Sequence, residues 1–500
     1  MSRARTIFKS AIWNHAGRTL EFVFMYATSI ALARGLSVAE NGIFVSLLSV
    51  SHLLLVLSSF GLEAALNKHI PQLPATQADN QLRRILRVVL SIRGVLAIAA
   101  VGILYVAISL LPFSFSGYIS AYFWPLAILS VARSFAALLA MVLTAQLKTT
   151  TTAAVTALTR GIEFTGVLVL AGNGLTIPTV LLFLAVTSII QMLWYLVLLR
   201  RELLGSSSKV SVAPLIAFGG AFWINTIVDY FLGRQGDLLM LAALTDDASA
   251  ASLYDVAYSL SQLALMAMTV GLGGVAFATF ARLAVESSET FDRFYSFLVR
   301  IMSLLTIPLF AFLLFNADSV LNVVYSHRYA GAMLLVQGMM LFRILSRLFA
   351  GPENAEYLLS NGQVWIVVVI GLVGASMNLV GNVLLIPRFG AVGVVVASGV
   401  ANLIVNFLGA RSVFRISQTG LQVSYWMKLT LVGCVASFCV SVIDLPWDIL
   451  TLAVRIAACA LLVTGGLILL KPLYAEDLDW LSRIDARLRR PLALFVRMSK

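Results

Sequence analysis

AIWNHAGRTLEFVFMYATSIALARGLSVAENGIFVSLLSVSHLLLVLSSFGLEAALNKHI, residues 11–70, is two long apolar segments joined by a short polar hinge. Its first segment carries Arg18 and Glu21 inside an otherwise apolar run. The stretch also returns without gaps, at a constant offset of 210 positions. Ala11 and Trp13 fall on Ala221 and Trp223, and Ser49, Ser51, Leu53 and Leu55 fall on Ser259, Ser261, Leu263 and Leu265. Gly61-Leu62 falls on Gly271-Leu272. A repeat in unbroken register predicts a chain whose two halves share one plan.

The rest of the composition agrees with membrane residence. Only 12% of the 500 residues are charged and 60% are hydrophobic, whereas about 25% charged is usual for soluble domains; mean hydropathy is +0.95. At about 20 residues per span the chain has room for more than ten membrane helices. Membrane barrels show alternation over about ten residues, and here the apolar runs are unbroken and of helix length. The first run contains charges and ends at Arg34 and Glu40, not at a small-residue cleavage site, so no cleavable signal peptide is expected. Cys434, Cys439 and Cys459 lie in late apolar segments, which suggests neither a disulfide framework nor a zinc site.

Fourteen spans are predicted: 11–33, 42–61, 88–111, 120–146, 152–171, 176–199, 214–243, 252–280, 294–315, 330–350, 363–386, 392–412, 424–443 and 447–470. The net charge of +12 sits mainly in alternate loops, at Lys9, Lys68, Arg83, Arg84, Arg87, Lys148, Arg200, Arg201, Arg282, Arg411 and the tail beyond Lys471. That asymmetry is the mark of membrane orientation, not of nucleic-acid binding, and it places both termini in the cytoplasm. The linker at residues 200–214 is charged, then Gly/Ser-rich, and reads as a flexible joint. Six spans precede it, so the repeat enters the membrane in the same direction. The expectation is an all-α polytopic protein with two parallel six-helix lobes, 1–205 and 206–418, around a central cavity, and an appended segment 419–500. The tail's Leu481, Ile484 and Leu488 share one helical face among Arg483, Arg487, Arg489 and Arg490. It reads either as a helix resting on an anionic leaflet or as a solvated tail.

No catalytic motif and no metal-binding spacing emerges; His15 reads as a lining residue and His52 as a packed or interhelically bonded one. What remains are ionisable residues at membrane depth, each costing about 2.5–3.5 kcal/mol at a helix centre on the insertion scale. Asn14, Arg18, Glu21, Met25 and Thr28 share one face of the first span, and Thr152, Thr156, Arg160 and Glu163 repeat the arrangement on the fifth. Such stripes fit a water-filled lumen, or self-neutralising i,i+3 pairs at a helix interface. Arg133 lies mid-span with no acid on its own helix, and calls for a carboxylate from elsewhere or an anionic ligand. Glu21, Glu163 and Asp229 are candidate charge partners or ion-coupling groups, and Asn225 a further polar lining residue. Arg343 and Arg347 are weaker candidates near a span end, Arg300 reads as reaching the surface, and Arg93 sits close to an inner end. Arg18, Arg93, Arg133 and Arg160 against Glu21 and Glu163 leave the first lobe a surplus of two positive charges, suited to an anionic headgroup.

Three stretches carry a family resemblance: Ala33-Arg34-Gly35-Leu36 with ENGIF at 40–44 and Gly61-Leu62; Asp237 with SLYDVAY at 252–258; and NLVGNVLLIPRFGAVG at 378–393. Together the chain resembles the oligosaccharide and O-antigen flippases of the multidrug/oligosaccharidyl-lipid/polysaccharide exporter superfamily, departing from the usual pattern at Ser37-Val38-Ala39. The resemblance implies a V-shaped cavity that alternates between the two sides of a bacterial inner membrane. It also implies, as substrate, an oligosaccharide joined by pyrophosphate to a polyprenyl lipid, serving O-antigen, capsule or exopolysaccharide synthesis. Arg18, Arg133 and Arg160 are then the pyrophosphate ligands, since Arg offers a fork to phosphate oxygens. Membrane lipids, a polysaccharide polymerase and assembly proteins are the implied partners; no cofactor is implied. Open alternatives are a lipid II flippase, a multidrug exporter on the same fold, and a membrane polysaccharide polymerase or ligase.

Overall fold

The computed structural model describes residues 2–73, 78–110, 115–204, 211–269, 279–280, 282–283, 288–484 and 495. Side chains 2–16, 78–79, 267–269, 288, 479 and 481–484 fall outside that description. The described residues are helices and short connections, and the chain divides into two compact units, Met1–Asp255 and Val256–Lys500. Twelve helices among them are long and apolar enough to cross a membrane, so the protein is a multi-pass membrane protein. Two of the fourteen expected spans lie outside those twelve. The first coincides with the helix Ser2–Gly35, and the eighth starts on Ala248–Thr269 and runs into residues that are not described.

In the first unit the helices are α1 (Ser2–Gly35), α2 (Val38–Ser59), α3 (Leu62–His69), α4 (Ala78–Leu110), α5 (Ser116–Ala121) and α6 (Phe123–Ala145). After these come α7 (Thr149–Gly172), α8 (Ile177–Leu198), α9 (Arg200–Leu203), α10 (Ala213–Leu232), α11 (Arg234–Leu244) and α12 (Ala248–Thr269), the last crossing into the second unit. The polar hinge between the first two expected spans contains the start of α2, capped by Ser37. The Ser37 hydroxyl accepts from the Glu40 backbone N–H at 3.2 Å, and the Glu40 carboxylate accepts from the Ser37 N–H at 2.9 Å, satisfying two otherwise orphaned donors. At the other end of α2 the chain turns through Phe60 and Gly61, both left-handed. Gly61 is required there, because a Cβ would come within 2.0 Å of the Gly219 carbonyl oxygen.

The described residues between the second and third expected spans, 62–73 and 78–87, are largely helical. α3 buries Leu62, Ala65 and Leu66 against Leu82 and Leu86 of α4, Leu139 and Val142 of α6, and Leu215 of α10. α10, which follows the central linker, therefore packs on the first helices: the Trp223 Nε1–H also donates to the Val56 carbonyl at 2.7 Å. The expected seventh span is broken. α10 stops at Leu232, Gly233 is extended, and α11 restarts at Arg234.

The second unit contains α13 (Ser288–Val324), α14 (Met333–Ser346), α15 (Glu353–Ser360), α16 (Val364–Phe389), α17 (Ala391–Ile416), α18 (Val423–Ser441), α19 (Asp448–Leu470) and α20 (Ala475–Ile484). α13 outruns its expected span and kinks at Asn316, whose backbone leaves helical geometry. The Asn316 amide donates to the carbonyls of Phe312 and Ser437 at 3.1 and 3.2 Å, and buried Arg455 of α19 donates to Ser319 Oγ at 2.6 Å and the Ile443 carbonyl at 2.8 Å. α18 and α19 thus brace the kink. Only 11% of the most apolar stretch of α19 is buried; the remainder presents apolar surface that only lipid covers cheaply.

Two readings are corrected in this unit. Arg300 does not reach the surface. It binds Asp477 at the start of α20 through two nitrogens, with Nε to Oδ1 and Oδ2 at 2.9 and 3.0 Å. The beginning of the tail is accordingly docked on protein: Asp477 is 0% exposed and Trp480 packs on Phe294 and Phe297. The expected Leu481, Ile484 and Leu488 face lies outside the described side chains.

Two outcomes follow. Asp477→Ala leaves the Arg300 guanidinium buried without its partner, so it costs about 3–5 kcal/mol, and replacing both by apolar residues of similar volume recovers most of it; thermal unfolding in detergent measures both. Gly42→Ala would put a Cβ 1.7 Å from the Ala248 carbonyl oxygen and lowers stability by about 1–3 kcal/mol. Gly102→Ala, where nothing lies within 4 Å, is neutral or stabilising in the same measurement because Ala is the better helix former.

Candidate functional site

The candidate site is built on α1, α6 and α7. Small residues let α1 and α7 approach: a Cβ on Gly17 would lie 2.9 Å from the Ala153 Cβ, and one on Gly161 would lie 3.4 Å from the Phe24 ring. These contacts climb both helices together, so the two run parallel and their polar stripes lie side by side. Arg160 Nη1 donates to Glu163 Oε2 at 2.5 Å, and Thr187 of α8 donates to the other oxygen at 3.4 Å. Glu163 is 3% exposed, while the Arg160 side chain keeps 31% exposure. The pair is self-neutralising at the carboxylate and open at the guanidinium.

Arg18 is exposed and Glu21 half-buried. Among the described residues they form no ion pair within 4.0 Å, yet Arg160 and Arg18 are both near enough to Glu21 to act on it electrostatically. Arg133 is half-buried near the middle of α6 and, among the described residues, makes no hydrogen bond and no ion pair. It feels Glu163 and Arg160 through space. Its level is set by two hydroxyl bridges that pin α6 to α2, Ser130 to Ser51 at 2.9 Å and Ser58 to Ser134 at 2.8 Å. α6 thus carries a guanidinium with no ion pair among the described residues, within electrostatic reach of Arg160 and Glu163.

The polar lining residues divide. Thr152 and Thr156 are half-buried; Thr156 bonds the Thr152 carbonyl at 2.9 Å and the Tyr195 hydroxyl at 3.0 Å. Asn225 donates to Asp229 at 3.1 Å on α10, away from the charges on α1 and α7 in sequence and in helix packing. Thr28 is corrected: it is buried and donates to the Phe24 carbonyl at 2.7 Å, so its hydroxyl is spent within its own helix. The Asn14 side chain lies outside the described set.

Arg343 donates to Gln262 at 2.7 Å and sits over the Phe310 ring. Arg347 is corrected as a ligand candidate. It is buried, bonds both oxygens of Glu353 at 3.0 and 3.1 Å, and donates to Ser303 and the Val299 carbonyl, so its charge is spent on packing. Arg93 is likewise 0% exposed and paired with Glu63. Removing that neutral pair leaves Arg18, Arg133 and Arg160 against Glu21 and Glu163, a surplus of one instead of two.

Some residues escaped sequence reasoning. Glu63 lies between the second and third expected spans, on an α3 too short to show a period. Residues of the first two resemblance motifs hold helices together: Asn41 donates to Ser252 at 2.7 Å, Tyr254 to Asp237 at 2.5 Å, and Arg234 pairs with Asp255. His52 is neither buried nor hydrogen-bonded among the described residues; its ring is exposed and stacks on Tyr230, with centroids 6.0 Å apart and planes at 13°.

The profile of a family described as polysaccharide biosynthesis protein matches residues 31–334. No curated protein sequence matches the chain. Among solved structures, the lipid II flippase MurJ in an inward closed conformation superposes with a TM-score of 0.72 at 12% identity, over 91% of this chain and 98% of that one. An inward-facing multidrug resistance MATE transporter of the MOP superfamily gives 0.63 at 13% identity, over 79% and 95%. An outward-facing MATE transporter gives 0.53 at 13%, over 82% and 95%. At such identities the likeness is one of fold.

Arg160 and Arg133 differ in what their loss does to stability. Arg160→Ala strands a buried carboxylate and lowers stability by about 3–5 kcal/mol, whereas Arg133→Ala removes an unpartnered charge and leaves it unchanged or raised; thermal unfolding of the purified variants separates the two.

Proposed function

We propose that this chain, which belongs to the polysaccharide biosynthesis protein family, is a flippase that carries a polyprenyl-pyrophosphate-linked oligosaccharide from the cytoplasmic to the outer leaflet of a bacterial inner membrane. The observation that supports this most is Arg133: a half-buried guanidinium in the middle of a span, with no hydrogen bond or ion pair among the described residues. A charge at that depth is costly unless something neutralises it, and a ligand that arrives and leaves is the group the protein itself omits. Arg18 and Arg160 belong to the same ligand set. A pyrophosphate carries more oxygens than one fork can serve, and Arg binds them bidentately.

The half-open Thr152 and Thr156 hydroxyls line the path of the sugar, and the lipid tail stays in the bilayer. The site opens first to the cytoplasm and then to the outside, in alternating access. The lobes are those of residues 1–205 and 206–418, with both termini cytoplasmic, and the product passes to a polysaccharide polymerase and its assembly partners for surface polysaccharide synthesis. Glu163 is committed to Arg160, so Glu21 is the carboxylate free to bind a coupling cation when its arginine neighbours engage substrate.

The test is flipping of a fluorescent lipid-linked oligosaccharide in proteoliposomes. Arg133→Ala, at normal expression, lowers the rate at least about tenfold, the loss of one charge-assisted hydrogen bond. Unchanged flipping by this variant would sink the assignment. In the same vesicles Glu21→Gln abolishes any acceleration by an imposed proton or sodium gradient; acceleration that survives the substitution removes Glu21 from coupling.

A further inference from the structure

Three elements of the first unit bring polar groups to one depth beside Arg133. The Ser51–Ser130 bridge at 2.9 Å levels α2 with α6. His52 follows Ser51 and Arg133 lies three residues past Ser130, so at about 1.5 Å per residue the two are separated by less than one helical turn along the axis. On the other side, Ser49 of α2 is tied to the interruption between α10 and α11, bonding the Gln235 carbonyl and the Tyr230 hydroxyl. Arg234 therefore stands at the same level, paired with Asp255. Arg133 and Arg234 are both near enough to His52 to act on it electrostatically.

His52 has the placement of a ligand. Its ring is exposed, one face rests on Tyr230, and neither ring nitrogen has a hydrogen-bond partner among the described residues. Hydrocarbon is the wrong surroundings for an unsatisfied N–H, which costs several kcal/mol in lipid. An imidazole at membrane depth with an unspent donor faces water or a polar ligand. The Tyr230 stack fixes the plane of the ring, so the donor is already aimed and little rotamer freedom is lost on binding.

We infer that His52 is a substrate-contacting residue that donates a hydrogen bond to a phosphate oxygen of the lipid-linked pyrophosphate, next to the oxygens held by Arg133. The inference rests on the pyrophosphate reading of Arg133. Arg234 is neutralised by Asp255, so the uncompensated charge that acts on the imidazole is that of Arg133; it repels a further cation and attracts an anion, which favours phosphate over a sugar hydroxyl as the group at this position. His52 supplies the donor that a second phosphate needs once the Arg133 fork is occupied.

The purified full chain is titrated with polyprenyl pyrophosphate and, separately, with the uncharged polyprenol. His52→Ala is expected to weaken polyprenyl pyrophosphate binding about tenfold, in keeping with one charge-assisted hydrogen bond, and to leave polyprenol binding unchanged. His52→Gln, which keeps a donor, recovers most of the loss. His52→Phe, which keeps the stack on Tyr230 without a donor, behaves like His52→Ala and serves where the alanine variant does not fold. Wild-type discrimination between the two probes that is undiminished in His52→Phe overturns this inference and leaves the Arg133 reading standing. A wild type that binds both probes equally overturns the Arg133 reading itself. Competition by phosphatidylglycerol vesicles as effective as polyprenyl pyrophosphate assigns the position to bulk headgroups and overturns the inference.

Discussion

A charge or hydrogen-bonding group inside a bilayer has no water to fall back on, and that constraint orders this structure. Many of the ionisable side chains among the described residues have been given an answer within the protein. Arg93 has Glu63, Arg160 has Glu163, Arg234 has Asp255, Arg300 has Asp477, and Arg347 has Glu353. Arg455 is satisfied by the carbonyl and hydroxyl groups around the α13 kink. Against that background Arg18, Glu21, Arg133 and His52 stand apart, because the described residues supply them with no hydrogen bond or ion pair; of these Arg133 lies deepest in its span. The site is recognised by what the rest of the molecule refuses to leave undone.

The same constraint explains how the helices are joined. Between apolar helices in lipid there is no hydrophobic gain, so association rests on close packing and on polar bridges. Gly17 against Ala153 and Gly42 against the Ala248 carbonyl are close approaches that a larger side chain would prevent. Ser51–Ser130, Ser58–Ser134 and Asn41–Ser252 are the bridges. Several of these residues belong to the stretches that carry the family resemblance. Their work here is to hold helices in register, which accounts for a shared pattern that contains few of the candidate ligands.

Much of this was legible before any coordinates. Unbroken apolar runs of helix length announced the class, and the i,i+3 spacing of Arg160 and Glu163 offered an ion pair as one of its two readings, which the structure shows. The readings that changed share a cause. Arg347, Arg300 and Arg93 were each judged against their own helix, and each found its acid elsewhere: in a short helix after a turn, in the tail, and in a segment between two expected spans. Thr28 was placed by helical period alone, and the period does not say which face meets water and which meets a neighbour.

The sequence by itself determined the solvent, the element type and the inventory of charges, because hydropathy and periodicity are local quantities. Only the tertiary structure decided which charges cancel, because pairing depends on distances between residues as far apart as Arg300 and Asp477. It also decided that the seventh span is broken at Gly233 and that Tyr230, just before the break, lies against His52. The net surplus of positive charge in the first helices shrank from two to one on folding. What remained unpaired, Arg133 above all, is the part of the chain that a ligand has to complete.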